Sequence, residues 1–521
     1  MLVASFICIM SKRTKKVVFK TYTPNQMMLL PPSLDEKISE HHPVRVVNRV
    51  IEQINITPLE KKYEGGGTSS YHPKMLLKVM VYSYLTNIYS SRKIEEALQQ
   101  NIYFMWLSGM NEPDHNTINR FRGDRLKEVL KPIFVQVVQL LAEAGLVSLK
   151  EIYVDGTKLE ANANRYTFVW GKAIKTNKEK MKQQLEELWS YAQQVAKEEM
   201  QDSEEVVFEK IDAKKVTATI AKIDEVLAGK EINKKVKQKL NYAKKNWPDN
   251  LNRYEEQEKI LGKRNSFSKT DKDATFMRMK EDHMKNGQLK PGYNLQISTN
   301  NQVITNYTLH PNPTDTTTLI AHVEEHKNLY QQTPENITTD AGYGSEENYN
   351  YLENNNIEAF VKFSSFDKEQ KKNYAHKNPF HQNQLPYNKE QDCYTCPMGQ
   401  RMNKVRIEKQ KSENGYEKEV HVYQALRCTN CPLRGMCHDA TGNRTIRVNH
   451  QLRHYQQQAQ EKLNTEEGIR HRKKRCWDVE PVFAQLKHNK NFKRFNLRGT
   501  KKVEIETGLL AIAHNLKKMA A

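Results

Sequence analysis

Three acidic residues, far apart in the chain, have the types and settings that phosphoryl transfer requires. Glu480 stands immediately before Pro481 in Val479-Glu480-Pro481-Val482-Phe483-Ala484-Gln485-Leu486-Lys487. Proline suits the first turn of a helix, so Glu480 sits at a helix N-terminal edge, where the dipole favours a carboxylate. Lys487 follows two turns on, on the same helical face. Upstream, Val154-Asp155-Gly156 and Thr339-Asp340-Ala341-Gly342-Tyr343 each close a run of strand-forming residues with an acid. Phosphodiester chemistry needs an activated water or hydroxyl, a stabilised leaving oxygen and neutralised equatorial charge. Two Mg2+ (or Mn2+) ions supply all three, and hard carboxylate oxygens hold them. Asp155 and Asp340, at neighbouring strand ends, would share one ion, and Glu480 would reach in from a packed helix to complete the second. Lys487 would contact a phosphate, with Arg475 or Arg472 clamping DNA beside the site. Taken singly, each acid has a bland explanation: aspartate at a strand end caps a turn, and glutamate before proline starts a helix.

The cysteines form a second constellation. Cys8 and Cys476 are isolated, but the other five fall as Cys393-x2-Cys396 and Cys428-x2-Cys431-x5-Cys437. Two CxxC pairs at such a distance grip one tetrahedral Zn2+. Pro397 and Gly399 supply small turn residues after the first pair, and His438 offers a further ligand, so which four bind stays open. The chain shows no secretion signal, which favours metal over disulfides. An iron–sulfur cluster is the lesser alternative.

These groups must be positioned by a large scaffold. At 521 residues the chain holds two to four units, some inserted into others. A net charge of +20 favours a polyanionic partner, foremost nucleic acid. The apolar stretch Met1–Met10 is too short to span a bilayer and lacks the basic flank of a signal peptide, so no membrane partner is expected. Met10, followed by Ser11-Lys12-Arg13, reads as the more ordinary start of a soluble protein.

After a tail over 1–20, residues 21–150 read as helical. His72-Pro73 opens one helix, Ser90-Ser91 a second, and Pro113-Asp114 a third that carries Asn119, Arg120 and Arg122. Such a succession suits a helix-turn-helix-like DNA reader. The strand ending at Asp155 lies in 151–171. Residues 172–265, rich in Lys, Glu and Gln, keep helical apolar spacing through Met181, Leu185, Leu188 and Ala192, then Ile220, Ile223 and Leu227, then Leu240, Ala243 and Trp247. They read as an inserted helical hairpin or short coiled coil. Residues 266–365 return to strand, strand, helix, strand, helix, strand, with a hairpin turn at Asn300-Asn301. The Cys-rich segment occupies 390–440, and helices fill 450–521, which include the basic run Arg470-His471-Arg472-Lys473-Lys474-Arg475. This order is that of a ribonuclease-H-like α/β core once the insertion is removed.

The chain resembles bacterial insertion-sequence transposases of the DDE type over nearly its whole length. The resemblance is carried by Tyr71-His72-Pro73-Lys74 and Thr117-Ile118-Asn119-Arg120-Phe121-Arg122 in the N-terminal part. Val154-Asp155-Gly156-Thr157-Lys158-Leu159-Glu160 and Pro291-Gly292-Tyr293-Asn294-Leu295-Gln296 carry it next. Asp340-Ala341-Gly342-Tyr343-Gly344-Ser345 follows, then Glu480-Pro481-Val482-Phe483, Phe495-Asn496-Leu497-Arg498-Gly499 and His514-Asn515-Leu516. It implies a ribonuclease-H-like (retroviral-integrase-like) catalytic core with a helical insertion, a Cys-rich zinc insertion and an all-α N-terminal DNA-binding domain. It also implies that Asp155, Asp340 and Glu480 bind Mg2+ and that Lys487 contacts DNA, with Arg475, Arg472, Arg120, Arg122 and Arg498 as further DNA-binding candidates. Related enzymes carry Tyr-x2-Arg-x3-Glu before this lysine. Here Cys476 holds the arginine position and Arg475 is the nearest substitute.

The activity implied is cleavage at the terminal inverted repeats of the chain's own element and strand transfer into target DNA. It would be carried out by a homodimer or larger assembly on the nucleoid in the bacterial cytoplasm. The competing readings are a ribonuclease-H-like nuclease without strand transfer and a non-enzymatic, zinc-bearing DNA-binding regulator.

Overall fold

The computed structural model describes residues 33–63, 70–195, 212–279, 287–371, 373 and 379–520. The apolar start at Met1–Met10, with Cys8, lies outside the described residues. The fold is mixed α/β.

Helices come first: α1 (Pro43–Gln53), α2 (Thr57–Glu60), α3 (Pro73–Leu85), α4 (Ser91–Gln100), α5 (Ile102–Ser108), α6 (His115–Arg120) and α7 (Leu130–Glu143). Local chemistry sets their starts. His42 and His72 each accept the amide two residues on, just ahead of Pro43 and Pro73, and Asp114 caps α6 through the Thr117 amide. α3 is buried all round, from Leu76 to Leu85.

Strand β1 (Glu151–Glu160) runs on five residues past Asp155, so this acid lies mid-strand rather than at a strand end. The extension exists because Gly156–Glu160 pair with the stretch Gln296–Gly292 of a later strand. A short ribbon of β2 (Phe168–Trp170) and β3 (Ser266–Ser268) flanks the inserted helices α8 (Gly171–Val195), α9 (Ala213–Leu227) and α10 (Lys234–Leu261). Among the described residues these are three helices rather than the two of a hairpin. Their shared core contains the residues picked out by spacing, from Met181 to Trp247.

β4 (Thr275–Arg278), β5 (Leu289–Asn300) and β6 (Val303–His310) follow, then α11 (Leu319–Tyr330), β7 (Asn336–Thr339), α12 (Glu346–Asn354), β8 (Glu358–Val361) and α13 (Phe366–Glu369). The sheet order is β4-β5-β1-β7-β8, with β6 also paired to β5. β5 is antiparallel to β1, β4 and β6, whereas β1, β7 and β8 run parallel. Asn301 and Gln302 form the β5–β6 turn, both at positive φ.

The Cys-rich region is a second, five-stranded sheet of β9 (Tyr387–Asn388), β10 (Cys393–Thr395), β11 (Arg401–Lys411), β12 (Glu417–Ala425) and β13 (Thr445–Val448). The chain closes with α14 (His450–Leu463), α15 (Glu466–Asp478), α16 (Glu480–Ala484) and α17 (Thr500–Met519). At the α14–α15 corner, Gly468 is required: a Cβ there would lie 2.6 Å from the Leu463 Cα. Among the described residues no helix is long and apolar enough to cross a membrane.

One apolar core runs from Ile38 through the N-terminal helices, one face of β5 and β6, and α17. Buried polar ties reinforce it. The fully buried Glu506 of α17 accepts the Asn496 and Leu497 amides, each at 2.8 Å, and also the Tyr84 hydroxyl and the Asn496 side chain. Lys490, 1% exposed, donates to the carbonyls of Tyr84 (3.0 Å) and Leu85 (3.2 Å), at the end of α3. Burial, and secondarily the charge of Lys517, push its pKa down to about 7.

A pH dependence follows. Unfolded, this amine stays protonated to about pH 10. Folded, it loses its proton near pH 7. Between those values the unfolded chain binds more protons, so stability rises with pH, by at most about 1.4 kcal/mol per unit. Calorimetric melting at pH 7 to 10 should show this rise, and Lys490→Met should flatten it. An identical slope in the variant would refute the assignment.

Candidate active site

Alternation along β1 decides which side chains reach the site. Ile152 and Val154 enter the core beneath α11 and α12. Tyr153 and Asp155 point to the other face and meet His471 and Arg475 of α15. Asp155 is 8% exposed, and its Oδ1 accepts the Gly156 amide at 2.7 Å. β1 and β7 pair in parallel as far as Tyr153 opposite Thr338. Past the end of that ladder, Asp155 and Asp340 both lie close enough to Tyr343 for their charges to act on its hydroxyl. Asp340 starts the turn Ala341–Tyr343, and its Oδ1 accepts the Gly342 amide at 2.8 Å.

The third acid arrives from α15 and α16. The end of α15 is pinned to the β5–β6 turn, since the buried Asp478 accepts the amides of Asn301 (2.8 Å) and Gln302 (3.0 Å). The Trp477 carbonyl accepts the Gln302 side chain, while the Trp477 indole stands 76% exposed. This fixes Arg475 over the sheet. Its guanidinium donates to Asp155 Oδ2 at 3.3 Å and to Glu480 Oε1 at 3.2 Å. The first and third acids therefore face a single cation. Arg475, the nearest substitute for an arginine expected one position later, is the residue that makes both contacts.

The donor set fits a divalent ion: hard carboxylate oxygens gather around a centre now met by a guanidinium, which stands in for positive charge. Among the described residues no group of three His, Cys, Asp or Glu is arranged as a ligand shell. Tyr343 lies beneath the site with its hydroxyl donating to Gln296. Burial first, then the charges of Asp315, Asp155 and Asp340, raise its pKa well above the ordinary value. Asp315 belongs to this neighbourhood although no motif singled it out.

The basic candidates divide by environment. Lys487 is buried within a wide turn, Gln485–Asn489, where the Lys490 amide reaches back to the Gln485 carbonyl. Such a turn takes more residues per revolution than an α-helix and so rotates the chain less per residue between Glu480 and Lys487. Arg472 stacks its guanidinium 5.2 Å from the Phe366 ring centre. The basic run is not all surface: His471 is fully buried, stacked on Phe360. Arg120 lines a polar cleft with Asn116, Asn119 and Lys502. Arg498 is exposed, with Nε donating to the Asn162 carbonyl at 2.8 Å. Arg122 is a correction: only 4% exposed, it donates to the Tyr89 carbonyl at 2.6 Å and is committed to the core, out of reach of a phosphate.

The zinc expectation finds no support in the arrangement of the thiols. Fold and sequence bring Cys396 and Cys428 to one small core, but among the described residues the thiols are free and no three ligands are arranged as a metal shell. Instead Arg444 serves two sulfurs, its guanidinium donating to Cys437 Sγ at 2.8 Å and its amide to Cys428 Sγ at 3.3 Å. The side chains of Leu385, Tyr394, Met402, Tyr423 and Ile446 pack the sheet around them.

Comparison with known proteins adds two matches. Residues 395–520 match the family described as Transposase DDE domain, a stretch that contains Glu480 and Arg475 but neither Asp155 nor Asp340. Residues 32–124 match the family Transposase domain (DUF772). A search of curated proteins finds no match.

Proposed function

Since the chain is a DDE transposase of the insertion-sequence kind, we propose that it cuts DNA at the ends of its own element and joins those ends to target DNA by Mg2+-dependent phosphoryl transfer. Asp155, Asp340 and Glu480 are its acids. The observation that carries this reading is the Arg475 bridge, which gathers Asp155 and Glu480 about one positive centre. The strand order, three parallel strands beside an antiparallel meander, supports a ribonuclease-H-like core.

Divalent ions, when bound, supply the Lewis acidity that activates the attacking oxygen and neutralises the leaving one. The protein's own part is positional. The Gly156 and Gly342 amides orient the first two carboxylates. The start of α16 leaves Glu480 exposed, free to swing between Arg475 and an ion. Arg475 offsets the charges of Asp155 and Glu480, and its guanidinium is also suited to a DNA phosphate. Exposed Arg120 and Arg498 extend the basic surface, and their phosphate contacts would make binding steeply salt-dependent. Two DNA ends must be handled together, so the working form is a dimer or larger.

The test is incubation of the protein with DNA bearing the element's ends, Mg2+ and a supercoiled target. Joined products on a gel, lost with Asp155→Ala, are expected. Nicking without joining would replace this reading with a nuclease, and binding without either would replace it with a regulator.

A further inference from the structure

The loop between β6 and α11 carries Asp315. Its Oδ1 accepts from the side chains of Asn294 and Gln296 on β5, each at 2.8 Å. The same oxygen occupies the space a side chain on Gly156 would need, lying 2.6 Å from the position of a Cβ there. Oδ2 lies 3.7 Å from where a Cβ on Gly342 would stand, a point itself 3.0 Å from Asp340 Oδ1. The carboxyl is thus wedged between the residue after the first acid and the turn that follows the second. Two ties close the frame: Thr316 Oγ1 donates to the Gly342 carbonyl at 2.9 Å, and Tyr343 joins that turn to Gln296. Both amides serve Oδ1. Among the described residues Oδ2 receives no hydrogen bond and the carboxylate has no cationic partner, so its charge is not cancelled locally.

From this geometry we infer that Asp315 is a fourth acid of the site. It is a positioning residue that fixes the Asp155–Gly156 and Asp340–Gly342 backbones against each other, and its negative charge strengthens the hold on a divalent cation. The inference rests on Asp155, Asp340 and Glu480 being the cation-binding acids. A neutral hydrogen-bond acceptor would satisfy Asn294 and Gln296 equally well, so charge and anchoring can be separated by substitution. Asp315→Asn keeps the acceptor and removes the charge.

The experiment is calorimetric titration of Mn2+ into the full chain without DNA, alongside melting in the absence of metal and kinetics of end cleavage. Asp315→Asn should melt like the unaltered chain. It should bind Mn2+ at least about tenfold more weakly, the scale of one nearby charge on a divalent ion. Cleavage should lose kcat, with KM for DNA unchanged. Equal Mn2+ affinity in a normally melting variant overturns the inference and leaves the three-acid site standing. If the unaltered chain takes up no Mn2+, the three-acid reading itself falls. Should Asp315→Asn melt early, Asp315→Glu decides. That variant keeps the charge, so affinity within about threefold of the original supports the inference, and a folded variant that binds tenfold more weakly overturns it.

Discussion

Asp155→Asn leaves the chain folded and able to bind DNA, yet lowers cleavage of element ends by about 10³-fold or more. The amide oxygen of asparagine can still accept the Gly156 amide that Asp155 Oδ1 accepts now. The lost charge is the one that faces Arg475 and, with Glu480, frames the cation centre. About 4 kcal/mol of transition-state stabilisation corresponds to that loss of rate, and a metal ligand in phosphoryl transfer supplies an effect of this size. Single-turnover cleavage of end-labelled DNA, with filter binding as the control, measures it. A variant within tenfold of the original rate would remove Asp155 from the chemistry.

The second large effect concerns stability. Glu506→Ala should destabilise the fold by about 4 kcal/mol, seen as a fall of several degrees in melting temperature. Four donors converge on this carboxylate: two main-chain amides, the Asn496 side chain and the Tyr84 hydroxyl. Removing it strands the buried Tyr84 hydroxyl and leaves three part-buried donors without their acceptor, and each unmet buried donor costs about 1 to 3 kcal/mol. Tyr84→Phe removes a single donor and should cost only about 1 kcal/mol. Equal melting of Glu506→Ala and the parent would show that water replaces the carboxylate freely.

Legibility from sequence followed burial. The inserted helices were readable because Leu185, Leu188, Ile220, Ile223, Leu240 and Trp247 keep a 3.6-residue spacing and do meet in one core. The order of strands around Asp155 and Asp340 was readable because their apolar runs are short and flanked by turn residues. The five-stranded sheet was missed for the opposite reason. β11 reads Arg401-Met402-Asn403-Lys404-Val405-Arg406-Ile407-Glu408-Lys409-Gln410-Lys411 and is largely exposed, so no alternation marks it. Its pairing with β12 is a hydrogen-bond fact that composition does not display. Arg122 was misjudged because charge was read as surface, whereas the carbonyl at Tyr89 gives its guanidinium a buried partner. Asp315 was passed over because an acid after Asn312-Pro313-Thr314 looks like any loop residue. Its meaning comes from Gly156 and Gly342, whose missing side chains make room for it. The cysteine spacing suggested a metal knuckle, but spacing alone does not show that Arg444 already serves two of the sulfurs.

The exposure of Trp477 gives the protein a built-in optical probe. Of the five tryptophans, Trp189 and Trp247 are buried in the inserted helices, Trp106 and Trp170 are partly covered, and Trp477 alone is wide open. A collisional quencher such as iodide will therefore act first on the indole two positions from Arg475. Shielding of that emission when a duplex docks would report contact with the face of α15 that carries Trp477, with no label attached.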